Sequence, residues 1–208
     1  DPWIGTGWDN IAQPGTAQKL DGGLGIFNFR AQHIRWTNYN TLMLCHGVDV
    51  GSNQCGIRWY ELRDANDGNW AIHQQGTYSP DGADRFYGSI AMDMQGNIGL
   101  GYSCADGPNG IYAGLRYTGR MANDPLGQMT FIEQEVVAGL GSQQSLNRFG
   151  DYAHCSLDPD GHTFWFTGEY LGTNGATRTR IFSFDLSAEV GVEENVGQEA
   201  FALEAVQQ

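Results

Sequence analysis

Apolar residues in this chain come in short runs broken by turns rich in Gly, Asn and Asp, and helical spacing is nearly absent before residue 187. The clearest unit covers 89–102, Ser-Ile-Ala-Met-Asp-Met-Gln-Gly-Asn-Ile-Gly-Leu-Gly-Tyr. It predicts two strands around an Asp93-x-x-Gly96 turn, in which the glycine takes a positive φ and the aspartate accepts from turn amides. The arrangement returns at 155–166, where Asp158-x-x-Gly161 falls 65 residues after the first turn. An Arg-Phe pair precedes each turn, Arg85-Phe86 and Arg148-Phe149.

A second strand type repeats as well. Ile57-Arg58-Trp59-Tyr60-Glu61-Leu62-Arg63 resembles Leu115-Arg116-Tyr117-Thr118-Gly119-Arg120, with Thr179-Arg180-Ile181-Phe182-Ser183-Phe184 as a looser copy. Their central arginines lie 58 and then 64 residues apart, and further strands are expected at 70–75 and 129–134. A unit of about 60 residues with four antiparallel strands is the mark of a β-propeller-type blade. The expected fold is therefore all-β, with about three to three and a half blades over 1–186. Propellers close with about four to eight blades. The chain is thus expected to be part of a larger propeller, completed by upstream blades or by a partner chain. A two-sheet β-sandwich is the alternative. Residues 187–208 hold five glutamates and no cation, which predicts an acidic flexible tail or linker.

Composition narrows the class. The 208 residues are 40% hydrophobic and 12% aromatic, enough to bury a core without a metal. Thirty glycines exclude a helical bundle and suit many tight turns. The formal charge is −13 and Lys19 is the only lysine, so the surface repels phosphate backbones and nucleic-acid binding is not expected. No run approaches the roughly 18 apolar residues of a membrane span. The chain opens on Asp1 instead of methionine, which predicts a removed leader or a piece of a longer precursor. Cys45, Cys55, Cys104 and Cys155 form an even set without CxxC spacing, which predicts disulfides and a secreted or extracellular-surface location. Cys45 with Cys55 is the natural local pair, leaving Cys104 with Cys155, and all three connectivities are open.

Candidate chemistry is sparse. Glu61, Asp151 and Glu169 sit among aromatics or arginines, and a glycosidase would draw on two such carboxylates about 5–10 Å apart. Arg58, Arg116 and Arg180 occupy equivalent repeat positions and could converge on a ligand carboxylate, or pair with acids such as Asp151 to tie blades together. Trp59 and Trp165 stand out as stacking surfaces for a glycan, or as packing between blades. Asp158 and Asp160, followed by a glycine, offer oxygen ligands to calcium, the one cofactor the sequence suggests; a plain β-turn uses the same residues. Residues 156–165 resemble the Asp-box of sialidase-like propellers, a structural turn, with one residue too many before Trp165. His154 beside Cys155 would form a nucleophile pair only with a free thiol. No nucleophile elbow, phosphate loop or zinc-ligand spacing occurs.

Several strings resemble the C-terminal half of a family of large secreted bacterial proteins predicted to form propellers. They are Gly56-Ile57-Arg58-Trp59-Tyr60-Glu61-Leu62-Arg63, Ser89-Ile90-Ala91-Met92-Asp93, and Gly96-Asn97-Ile98-Gly99-Leu100-Gly101-Tyr102-Ser103. Arg116-Tyr117-Thr118-Gly119-Arg120, Arg148-Phe149-Gly150-Asp151-Tyr152 and Phe164-Trp165-Phe166-Thr167-Gly168-Glu169-Tyr170 continue the match, in order, over roughly residues 20 to 186. The family has tryptophan where this chain has Phe149, and Val192-Glu193-Glu194-Asn195 resembles a linker that precedes a type IX sorting domain. The resemblance implies a propeller whose remaining blades lie upstream, and it implies no activity. The function expected is a non-catalytic extracellular module that binds protein or glycan or builds an assembly. A sialidase-like or other glycan-processing hydrolase, completed by the missing blades, is the alternative.

Overall fold

The computed structural model describes residues 9–23, 27–28, 30–186 and 203–205. Its regular structure is β apart from one 3-10 turn at Thr173–Gly175. A short ribbon pairs β1 (Asp9–Ile11) with β2 (Leu20–Asp21). The first sheet holds β3 (Gln32–Arg35), β4 (Asn40–Asp49), β5 (Cys55–Asp64) and β6 (Trp70–Tyr78). The second holds β7 (Asp84–Met92), β8 (Ile98–Asp106), β9 (Ile111–Arg120) and β10 (Gln134–Val137). The third holds β11 (His154–Leu157), β12 (Phe164–Leu171), β13 (Thr177–Phe184) and β14 (Leu203–Ala205). Each is an antiparallel meander in chain order, so the molecule is all-β, as its patterning predicts.

The sequence repeat has one sheet as its period. Both Asp-x-x-Gly turns join the first and second strands of their sheets, and Arg58, Arg116 and Arg180 all lie on third strands. The fourth strands differ from expectation. The segment 70–75 belongs to β6, but 129–133 is loop and the ladder starts only at Gln134. Asp124 draws the chain into a turn by accepting from the Met121 amide at 2.7 Å, and Glu133 is turned inward onto Arg85. The acidic segment 187–208 lies outside the described residues except for β14, which pairs with Thr179, Arg180 and Ile181.

Strand β8 explains the stacking, since it is buried at every position. Ile98, Leu100 and Tyr102 join Met43, Cys45, Ile57 and Trp59 in a core between the first two sheets. The alternate residues Gly99 and Gly101 face the other way, as the period of two requires. There they admit the rings of Phe164, Phe166 and Phe184, and a Cβ on Gly99 would stand 2.9 Å from the Phe184 ring. Phe164, Phe166, Phe182 and Phe184 form the second core, each burying enough apolar area to contribute about 1.5–3 kcal/mol. Where the β1–β2 ribbon meets β7, a third core joins Ile11, Leu20, Phe86, Phe149 and Leu171. The phenylalanines of the two Arg-Phe pairs meet in it, with ring centroids 5.6 Å apart.

A charge network lies beside the first core. Arg85 is 0% exposed. Its guanidinium donates to Glu133 at 2.7 and 3.1 Å, to Asp81 at 2.8 and 3.1 Å and to the Ala83 carbonyl. Glu133 also accepts from Tyr102 at 2.5 Å and from Arg116 at 2.8 Å. Burial pushes the Glu133 carboxyl up, but these donors outweigh it and hold it below its ordinary range.

The expected disulfides are absent: Cys45, Cys55, Cys104 and Cys155 are four buried free thiols. The register explains it. Cys45 stands opposite Trp59 while Cys55 stands opposite Asp49, so the two are offset by about four residues, or ~13 Å of strand, well beyond the ~7 Å a bridge allows. Cys104 belongs to the first core and Cys155 to the second. Burial pushes the Cys45 and Cys104 thiols up to about 12 and raises those of Cys55 and Cys155 too. Cys155 is therefore no activated partner for His154.

Candidate functional site

The segments entering β3 and β11 converge on a break in β7. The β7–β8 ladder shifts register between Phe86 and Ser89, and Tyr87 sits in the gap with φ at 48°, in the left-handed region. A bulky residue adopts that backbone only under constraint. The constraint is a pair of glycines with φ of 73° and 66°, Gly23 and Gly150, between which the Tyr87 ring is held. A Cβ on either would stand 3.0 or 2.9 Å from that ring. The phenol bonds Asp21, and burial followed by the charges of Asp21, Asp151 and Glu169 raises its pKa far above the ordinary value.

Beside Tyr87 opens a cleft of about 900 Å³, whose walls include Asp21, Phe27, Arg30, Arg148, Asp151 and Tyr152. Tyr152 is 74% and Phe27 53% exposed. A smaller hollow of about 410 Å³ lies on the other side of the 148–153 loop, against Thr167, Glu169 and Thr179. Asp151 is paired with Arg148, whose Nε donates to it at 2.6 Å. Glu169 accepts from the Gly150 amide at 3.1 Å. Burial raises the Glu169 carboxyl, the Gly150 and Thr177 donors oppose it, and the nearby Asp151 charge adds to the rise.

Two of the three candidate carboxylates therefore meet at one loop, Asp151 on it and Glu169 on β12 accepting from its Gly150 amide, and the third does not join them. Glu61 is 0% exposed on β5, where it accepts from Arg63 and Gln74 at 2.6 Å each. Gln74 in turn accepts from the Gly127 amide, so Glu61 anchors a loop of the second sheet to the first. The repeat arginines stay on separate sheets. Arg58 bonds Thr77 and Gln75 beside the Tyr60 ring, Arg116 pairs with Glu133 and Glu135, and Arg180 lies across from Gly168. Trp59 is a correction to the stacking expectation, because it is buried in the first core. Trp165 is half-buried and donates its Nε1 to Asp158 at 2.8 Å.

The remaining oxygens of the Asp158–Gly161 turn are also committed. Asp158 accepts from the Asp160 amide, and Asp160 accepts from the His162 amide and from the Thr163 amide and hydroxyl. Among the described residues no three His, Cys, Asp or Glu side chains come together to hold a metal. No described helix is long and apolar enough to cross a membrane. Tyr87, Phe27 and Asp21 carry no motif that singles them out, and Tyr152 stands out only as the end of the 148–152 string. The only signals near them are the Arg-Phe pairs and Gly150, which has the positive φ common in glycines of tight turns. In comparisons with known proteins, no family model and no curated sequence matches the chain.

Proposed function

We propose that the three sheets are consecutive β-propeller-type blades of a larger ring, and that the chain is a secreted or cell-surface, non-catalytic module. It binds protein or glycan, or builds an extracellular assembly. The observation that carries this reading is the outward face of the first sheet. In register across β4, β5 and β6 it presents Leu42, Leu62 and Ile72, then Leu44, Tyr60 and Gln75. Ile72 and Trp70 are exposed there and the other apolar residues half-buried, whereas both faces of the second sheet pack in cores. A blade buries such a face against its neighbour. A further blade, from an upstream segment or a partner chain, covers it. The outward face of the third sheet carries Trp165 and Ile181 among Thr167, Glu169, Thr179 and Ser183, so it is the more polar of the two end faces, and the first is the one that most requires a neighbouring blade. Three sheets in series also weigh against a two-sheet sandwich.

The native particle's mass tests this. A particle well above 22.8 kDa, containing a further polypeptide segment or chain, is expected. A stable monodisperse particle of the chain's own mass would overturn the reading.

A second reading is favoured by the Asp151 and Glu169 pair. Asp151 is ion-paired with Arg148, whereas burial raises the Glu169 carboxyl, and two carboxyl groups in such different surroundings are what an acid and a nucleophile or base require. Glycan hydrolysis lost in both Glu169→Gln and Asp151→Asn would establish it in place of the non-catalytic one.

A further inference from the structure

The cleft beside Tyr87 is a built site, and its chemistry selects a class of ligand. A left-handed backbone at a bulky residue costs about 1–3 kcal/mol and persists only where the surroundings over-determine it. Here Gly23 and Gly150 clamp the ring, which fixes a phenol in the cleft wall. At about 900 Å³ the cleft falls within the range of small-molecule sites, roughly 300–1,000 Å³. Tyr152, from the 148–153 loop, is the most exposed ring on it at 74%.

Charge narrows the ligand further. Arg30 and Arg148 line the cleft together with Asp21 and Asp151, so the formal charges cancel, and Arg148 is already paired with Asp151. An anionic ligand would meet the Asp21 and Asp151 carboxylates and could reach Arg148 only by displacing Asp151, and a cationic one would meet Arg30 and Arg148. A neutral molecule rich in hydroxyls meets neither penalty. Its hydroxyls donate to carboxylates and accept from guanidinium and amide groups such as Asn28 and Asn147, while its C–H faces lie on tyrosine rings. We infer that this cleft binds a short neutral oligosaccharide, with Tyr152 as its stacking platform, Arg148 and Asp151 as hydrogen-bonding partners and Tyr87 as its fixed floor. The inference deepens the ligand-binding reading above and rests on it.

Calorimetric titration of the intact chain with cellotriose, maltotriose, chitotriose and 3′-sialyllactose tests the site. One of the neutral sugars is expected to bind, about tenfold more weakly in Tyr152→Ala and with affinity restored in Tyr152→Trp. Ile132→Ala, an exposed position on the second sheet's loop, is expected to bind as the parent does. Tyr152 is exposed, so its removal leaves the fold intact, which a circular dichroism spectrum checks. Binding of sialyllactose alone, binding insensitive to Tyr152, or no binding of any neutral sugar overturns the assignment. Each of those results leaves the blade reading to be decided by particle mass. Turnover of a bound neutral sugar would instead remove the non-catalytic reading and leave the cleft assignment standing.

Discussion

Replacing Glu133 by glutamine keeps the side chain's shape and removes the one charge that three donors share. Arg85 is 0% exposed and then retains only the Asp81 carboxylate, 57% exposed, and the Ala83 carbonyl as strong acceptors. Breaking a buried ion pair from one side costs about 3–5 kcal/mol. Asp81 survives as a partner, so the cost expected here is at the lower end, about 3 kcal/mol. Arg85→Met is the informative contrast. It leaves Glu133 with Arg116 at 2.8 Å and Tyr102 at 2.5 Å, returns Asp81 to water, and should cost only about 1–2 kcal/mol. The double variant should be less destabilised than the sum of the two, because both changes break the same bonds. Urea unfolding at fixed protein concentration, followed by tryptophan fluorescence, measures all three. At about 2–4 °C per kcal/mol for a chain of this size, Glu133→Gln should lower Tm by about 6–12 °C. If Arg85→Met proves the more damaging change, or the two costs simply add, the shared-anion account of this interface is wrong.

Gly101→Ala should cost about 2–3 kcal/mol or more, because its Cβ would enter the Phe166 ring, whereas Gly82→Ala meets nothing within 4 Å and should be near neutral in the same urea assay. Asp84 is a carboxyl that burial and the neighbouring Asp106 charge push up to about 6 in the fold, from 3.8, against the opposing Cys55 amide. Its ionisation therefore disfavours folding: the penalty is nil below about pH 4, grows as pH rises to about 6 and is constant above. At 1.36 kcal/mol per pH unit the ceiling is about 3 kcal/mol, and water access reduces it to about 1–2 kcal/mol, so Asp84→Asn should gain that much at pH 7.5 and lose the slope between pH 4 and 6. All four thiols should be inert to a thiol-reactive disulfide reagent in the native state and titrate fully in urea; any disulfide seen in the intact mass would contradict the structure.

The fold was legible where its cause is local. An alternating strand declares which face is buried, and an Asp-x-x-Gly turn declares a hairpin, so the Arg58 and Arg116 strings and both turns fell on matching strands of successive sheets. The 129–133 segment misled because its apolar residues mimic a strand while Glu133 serves a long-range bond to Arg85, 48 residues away. Cysteine parity misled for a related reason. An even count says nothing about register, and in this hairpin Cys45 and Cys55 face Trp59 and Asp49 instead of each other. Trp59 likewise sits beside Gly76, whose missing Cβ leaves room for the indole, a fit visible only once β5 and β6 are paired.

Asp151 and Glu169 could be nominated because carboxylates beside aromatics and arginines are uncommon enough to notice. Tyr87 could not. Its position follows from Gly23, Gly150 and a ladder break, three features far apart in the chain that meet only after the sheets have stacked. The same stacking accounts for the cleft's location. Strands within a sheet satisfy one another's backbone groups, but the segments that enter β3 and β11 run beside β7 without continuing its ladder. Concavity and functional side chains accumulate where ladders stop. A repeat of four-stranded sheets thus specifies its own scaffold through local alternation. It leaves the site to the few positions, Tyr87 foremost, at which the repeat is broken.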